Sequence, residues 1–270
     1  MEKDLLDLPL DDKLVLAKNL LARAMDRFGD AFRLAWTGGK DSTLVLWLAR
    51  ELGRETGRAM PRVLVIDEGD PFPEIVAFQK HLTEAWGLDV QTAANREILD
   101  AEPALGDYID LSRLSQDARD AASRLGFTGP GFPFDPDSPL GAQLLKALPL
   151  HAFLREHGVA ALATGIRWDE HPAREDESHE SPRPDPPHWR IHPILHLREA
   201  DVWAATRGRG LPFCELYAKG YRSLGTRNGS ARTSDLPAWE QDLAKPGGER
   251  AGRAREKEDA MAGLRALGYM

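Results

Sequence analysis

Six consecutive residues, Thr37-Gly38-Gly39-Lys40-Asp41-Ser42, bring together two hydroxyls, a mobile ammonium, a carboxylate and two glycines. They stand where an apolar run ending at Trp36 gives way to residues with helical spacing. A strand entering a helix through such a turn leaves the first backbone N–H groups of the helix without intrahelical partners, and the helix dipole adds positive potential there. Both effects favour an anion. The glycines allow a sharp turn and a close approach of phosphate to the backbone, and Lys40 adds charge. The hydroxyls of Thr37 and Ser42 can either cap the helix or bond phosphate oxygens. The lysine directly follows the glycines, so the spacing is not that of a Walker loop.

Other residues carry chemistry of their own. Asp67 ends the apolar run 62–67, at the carboxyl end of an expected strand, where open α/β sheets place ligand-binding side chains. A magnesium contact, a ribose contact and a helix cap are the roles open to it. His188, His192 and His196 recur every four residues, but Pro193 interrupts any helix there. On a strand they would share a face without converging, so a metal site is not expected. Cys214 is the only cysteine, which excludes an internal disulfide, a cluster held by four thiolates and a paired-thiol centre within these residues. Its simplest role is that of a small buried side chain.

These residues need a scaffold to hold them. Leu14, Leu16, Leu20, Leu21 and Met25 fall at near-helical spacing and predict an amphipathic helix over 11–28. Strands are expected over 31–36, 62–67, 88–93, 159–165 and 188–194, alternating with helices over 42–52, 71–87, 142–157 and 198–210. That alternation predicts a Rossmann-like, doubly wound parallel sheet of about five strands. Trp47 and Trp203 sit at core spacing on their helices. The pattern weakens over 95–140, and the Gly/Pro-rich stretch 126–141 is expected to be a lid loop. Residues 166–187 are so charged and proline-rich that a mobile loop is expected, one that orders over bound ligand. The organisation expected is an N-terminal helix over 1–30, a nucleotide-binding unit over 31–225 and a helical, irregular extension over 226–270.

The formal net charge of −8 argues against a general nucleic-acid binder, whose affinity comes from basic residues replacing counterions on phosphate. No apolar stretch reaches the roughly 20 residues of a membrane span, and the acidic start lacks the plan of a secretory signal. A cytoplasmic protein is expected.

The turn closely resembles the pyrophosphate loop, commonly Ser-Gly-Gly-Lys-Asp-Ser, of the PP-loop ATP pyrophosphatase superfamily, with Thr37 in place of serine. This superfamily of adenine nucleotide alpha hydrolase-like, HUP-type folds includes PAPS reductases, ATP sulfurylase small subunits and FAD synthetases. Three further stretches resemble its PAPS reductase branch. In "VIDEGDPFPE", Asp67, Gly69, Phe72, Pro73 and Glu74 match an Asp-Thr-Gly and Phe-Pro-Glu series from which Glu68 departs. In "ATGIRWDEHPAR", Gly165, Arg167, Glu170 and Arg174 match, and residues 191–225 match its Pro-Ile, Asp-Val-Trp, Leu-Pro, Leu-Tyr and Gly-Tyr-x-Ser-Leu-Gly series.

The resemblance implies an adenine-nucleotide site at Trp36, Thr37, Gly38, Gly39, Lys40, Asp41, Ser42, Asp67 and Gly165, with ATP as substrate and Mg²⁺ held at Asp67. It casts Lys40, Arg167, Arg174 and Arg222 as the groups that neutralise phosphate or a small anionic acceptor; surface ion pairs with Asp169, Glu170 or Glu175 are the alternative for the arginines. Sulfonucleotide reductases of the branch attack with a cysteine in a Glu-Cys-Gly-Leu-His motif, which this sequence lacks, and "TRNGSART" replaces their paired cysteines. No iron–sulfur cluster is therefore expected. Glu249, Arg250, Gly252, Arg253, Met261, Gly268 and Tyr269 resemble instead the tail of the ATP sulfurylase small subunit. Adenylyl transfer with pyrophosphate release is the leading expectation. A PAPS- or APS-binding protein using an external thiol, an FAD synthetase-like transferase and a non-catalytic nucleotide-binding subunit remain open, as does the need for a partner subunit or a second copy.

With a single thiol there is no intramolecular pair for Cys214 to serve. Cys214→Ser is expected to leave nucleotide affinity, read by calorimetry, within a few-fold of the parent, with an unchanged circular dichroism spectrum.

Overall fold

The computed structural model describes residues 2–244 and 248–253. A helix α1 (Leu10–Phe28) precedes strand β1 (Phe32–Ala35), which feeds helix α2 (Lys40–Thr56). Strand β2 (Arg62–Asp67), helix α3 (Pro73–Trp86) and strand β3 (Val90–Ala94) follow. A run of short elements comes next: α4 (Arg96–Leu99), β4 (Tyr108–Asp110), α5 (Gln116–Arg124), β5 (Gly131–Pro133), α6 (Pro139–Ala142) and α7 (Leu148–Glu156). Strands β6 (Ala161–Ala163), β7 (Glu180–Pro184) and β8 (Pro187–Ile191) and helix α8 (Glu199–Gly208) complete the regular structure.

The main sheet has six strands in the order β3-β2-β1-β6-β8-β7, parallel except for β7. Strand alternation sorts its side chains between two cores. Phe32, Leu34, Val63, Ala161 and Ala163 face one apolar cluster, into which α1 and α2 send Leu21, Leu44 and Leu48. Leu64, Ala93 and Leu162 face the other, closed by Leu150, Phe153 and Leu154 of α7. Chain order runs outward from β1 through β2 to β3, then returns to β6 on the other side of β1. The crevice at that reversal, outside the carboxyl ends of the strands, is where such sheets hold ligands.

The five expected strands are all present, and the sheet gains a sixth from a segment expected to be mobile. Residues 166–187 are packed. Strand β7 pairs with β8 from Glu180↔Ile191 to Pro184↔Pro187. Trp168, Arg174 and Glu177 are buried, and Trp168 N donates to Leu195 O at 3.0 Å. The charges that argued for solvation are spent on one another: Arg167 pairs with Asp169, Arg174 with Glu170, and Arg183 with Glu177.

The expected lid over 126–141 is likewise structured. It supplies β5, buries Phe132 and Phe134 in a separate cluster with Ile98, Leu99 and Leu144, and starts α6 with a Ser138 hydroxyl accepting from Gly141 N at 3.0 Å. Between α6 and α7 the helix widens to a π turn over Gln143–Ala147, next to Pro149, which has no N–H to continue the ladder.

The extension is not helical where it is described: one 3-10 turn, Ala238–Glu240, is its only helical element there. Met261, Gly268 and Tyr269 lie outside the described residues. Among the described residues no helix is long and apolar enough to cross a membrane.

Backbone amides of Trp168, Glu177 and His192 donate to Leu195 O, Arg174 O and His179 O. Hydrogen exchange on the ligand-free chain is expected to show them protected like the sheet core, unlike a mobile loop.

Candidate functional site

The turn leaves β1 at Trp36, whose indole is buried and donates to Thr43 Oγ1 at 3.1 Å, so the ring braces α2 from beneath. Gly38 has φ +77°, a left-handed backbone that a side chain adopts only with strain, and a Cβ there would also crowd Ile75 of α3 at 3.0 Å. Thr37 Oγ1 accepts from Gly39 N at 3.3 Å and lies 3.1 Å from Ser42 Oγ, which itself donates to Gly39 O. The loop is thus held by its own hydroxyls. Lys40 N donates to the phenol of Tyr217 at 2.9 Å, tying the helix start to a residue 177 positions away. Gly165, after β6, abuts the same turn: a Cβ there would lie 2.7 Å from Ser42 N.

Lys40 is buried. Its ammonium lies 2.5 Å from Glu249 Oε1 and 3.1 Å from Asp41 Oδ2, with Glu199 at 4.0 Å. Burial alone would drive off its proton, but the Asp41 and Glu249 carboxylates outweigh that cost and push its pKa up. Burial opposes ionisation of Glu249 as well, and Arg167 and Lys40 overcome it, leaving its pKa below the usual carboxylate range. Tyr217 is pushed up by burial, so it stays a neutral phenol.

Arg167 and Arg222, expected at the anion, are instead committed to this network. Arg167 is fully buried and pairs with Asp41, Asp169 and Glu249. Arg222 donates to Glu199 at 2.7 and 3.0 Å and to Asp242 O at 2.8 Å. Neither lines the cleft, so both position other groups. Glu199 carried no signal of its own in the sequence, and Glu249 and Tyr217 stood out there only by the family resemblance of their stretches, because contacts across such separations leave no local pattern.

The cleft beside the loop has a volume of about 500 Å³. Trp36, Thr37, Gly39, Lys40, Asp41 and Ser42 form one wall, with Gly165 beside them. Ile66, Leu150 and Leu162 give an apolar face, and Asp67 and Asp70 an acidic rim. Arg174, Arg190, Arg250 and Arg253 bring cations from other elements. Asp67 Oδ1 accepts from Gly69 N at 3.0 Å and keeps its second oxygen for another partner among the contacts described. No group of three or more His, Cys, Asp or Glu poised for a metal occurs among the described residues. A single carboxylate still suits Mg²⁺, which commonly binds through one or two carboxylates and the phosphates of its substrate. Thr164, also missed from sequence, borders the cleft with its hydroxyl 2.8 Å from Nδ1 of the buried His192.

Residues 32–116 and 135–231 match the model of the phosphoadenosine phosphosulfate reductase domain. The chain belongs to that family. The stretch that the match skips, 117–134, holds most of α5 and all of β5. An adenosine 5'-phosphosulfate reductase of Pseudomonas aeruginosa is 24% identical over 215 residues, spanning 77% of this chain and 69% of that protein. Yeast FAD synthetase in complex with FAD shares the fold with a TM-score of 0.60 at 17% identity, over 93% of this chain and 95% of its own. The PAPS reductase of Candida auris, in a phosphate complex, gives 0.56 at 17% identity, over 84% and 92%. Proteins named as a PAPS reductase and as an FAD synthetase thus share this α/β fold.

Removing Glu249 would leave Lys40 and Arg167 buried with fewer counter-charges. Glu249→Ala is expected to lower unfolding free energy by about 3 kcal/mol in urea denaturation at neutral pH. Because the folded pKa of Glu249 is depressed, its contribution is complete above the unfolded value of 4.5 and fades as pH falls toward the folded value. The difference between parent and variant should therefore be smaller at about pH 3.5 than at pH 7.

Proposed function

We propose that this chain binds ATP with its phosphates on the 37–42 turn and transfers the adenylyl group to a small anionic acceptor. An acceptor oxygen forms a bond to the α-phosphorus, the bond from that phosphorus to the bridging oxygen breaks, and pyrophosphate leaves. Positioning and charge neutralisation supply most of the catalysis in such a transfer. The N–H groups at the start of α2 face the phosphates. Lys40 has three N–H donors, and Asp41 and Glu249 engage two, which leaves one for a phosphate oxygen. The apolar face of Ile66, Leu150 and Leu162 suits the base. Asp67 would hold Mg²⁺, which when bound supplies charge neutralisation on the phosphates.

The observation that favours transfer over reduction is the place of Cys214. Sulfonucleotide reduction needs a thiolate at the sulfur. The only thiol of this sequence is 1% exposed, packed with Trp203, Leu216 and Tyr217, absent from the cleft lining and raised in pKa by burial. With sulfate as acceptor the reaction is that of ATP sulfurylase in sulfate assimilation, and with FMN that of FAD synthesis. We place the protein in the cytoplasm, acting alone or with a partner subunit.

Supplying labelled ATP with sulfate or FMN and identifying the adenylylated product tests this directly. Pyrophosphate release dependent on one acceptor is expected; sulfite release from a sulfonucleotide with added thioredoxin, without pyrophosphate formation, overturns it. Lys40→Ala is expected to weaken ATP binding at least tenfold, about 1.4 kcal/mol by calorimetry.

A further inference from the structure

We infer that the Thr164 hydroxyl is an acceptor held ready for a sugar hydroxyl of the nucleotide, and that His192 and Glu177 behind it are positioning residues that set which way its proton points. The inference rests on the reading of the cleft as a nucleotide site.

The contact follows from strand register. Strands β6 and β8 are parallel neighbours with Ala163 opposite Ile191, so the next residue on each, Thr164 and His192, emerge side by side. Thr164 N donates to Ile191 O at 2.9 Å and His192 N to His179 O at 2.8 Å, which fixes both backbones. Thr164 Oγ1 then lies 2.8 Å from His192 Nδ1. His192 is fully buried, and its Nε2 has no hydrogen-bond partner among the described residues; the Glu177 carboxylate faces it from 3.8 Å. Glu177 is itself only 3% exposed and is held by Arg183 at 3.2 Å.

These charges decide the direction of the hydrogen bond. Burial, together with Arg190, Arg183, Arg174 and His179, pushes the pKa of His192 well down, so the ring is neutral and carries one proton. The carboxylate facing Nε2 favours the proton on that nitrogen, where the N–H dipole points at negative charge. Nδ1 is left as an acceptor, and the Thr164 hydroxyl donates to it. With its proton directed inward, this hydroxyl offers only lone pairs to the cleft that it borders.

The place of Thr164 along the cleft points to the donor it takes. Leu162 and Thr164 stand two apart on β6 and its continuation, so they point to the same side of the sheet, and both line the cleft. Leu162 belongs to the apolar face, whereas Gly165 abuts the turn so closely that a Cβ there would lie 2.7 Å from Ser42 N. Thr164 therefore lies between the face that suits the base and the turn that suits the phosphates. In a nucleotide the sugar joins the two. Its hydroxyls can donate to a lone pair, which phosphate oxygens cannot.

Calorimetry of the full chain with ATP, 2'-deoxy-ATP and 3'-deoxy-ATP tests this. The parent is expected to bind one of the deoxy nucleotides about fivefold more weakly than ATP, the worth of one hydrogen bond. Thr164→Val, which keeps the shape and loses the hydroxyl, is expected to bind ATP and that analogue alike, and Thr164→Ser to keep the preference. His192→Leu is expected to erase the preference although Thr164 is intact, and His192→Asn, which brings an acceptor oxygen near the place of Nδ1, to retain it. A purely structural histidine would instead change both affinities together. A preference that survives Thr164→Val, or no preference in a parent that binds ATP, overturns the inference. Should the variants not fold, nitrogen NMR of His192 in the parent decides: the tautomer protonated at Nε2 is expected at pH 7, and the one protonated at Nδ1 overturns it. No ATP binding by the parent would refute the nucleotide reading itself.

Discussion

Burial of Lys40 is the constraint around which the site is organised. An ammonium removed from water behind the glycine turn is tolerable only with counter-charges at contact distance, and Asp41 alone does not supply them. Glu249 comes from the far end of the described chain, and Glu199 from the start of α8. Each of these acids then requires its own cation: Arg167 for Asp41 and Glu249, and Arg222 for Glu199. Asp169 links the set by pairing with Arg167 and accepting from Glu199 N at 2.7 Å. A cleft-lining lysine is thereby connected, through alternating charges, to the loop after β6, the helix α8 and residues 248–253.

That network accounts for the division of labour among the arginines. Arg167 and Arg222 are surrounded by carboxylates and act as struts, whereas Arg174 sits where positive charge predominates and retains an unmade hydrogen bond. The same sequence segment, 166–187, provides both kinds. Its burial also explains why an acidic, proline-rich stretch packs: Asp169, Glu170 and Glu177 each have a guanidinium within the fold, while Glu175 and Asp176 stay at the surface.

The sheet contributes place more than chemistry. The reversal of strand order at β1 and β6 opens the crevice, and Gly165 lets the loop after β6 approach the turn closely enough for the two to share one wall. Among proteins that share this frame, one is named a PAPS reductase and another an FAD synthetase. What separates activities on such a scaffold is which side chains reach the crevice. Here a thiol does not among the described residues, and arginines do.

Local sequence determined what depends on neighbours along the chain. The glycine turn, the five parallel strands and the helices between them were legible because hydrophobic period and backbone chemistry are properties of consecutive residues. That Cys214 has no second cysteine to pair with was legible for the same reason: a count needs no structure. Only the tertiary structure decided which charges meet. Glu249 lies 209 positions from Lys40 and Tyr217 lies 177 from it, and nothing in the spacing of either announces the contact. The order of residues 166–187 was illegible on the same ground, since a charged segment is read as solvated until the partners that neutralise it are known, and those partners are fixed by packing.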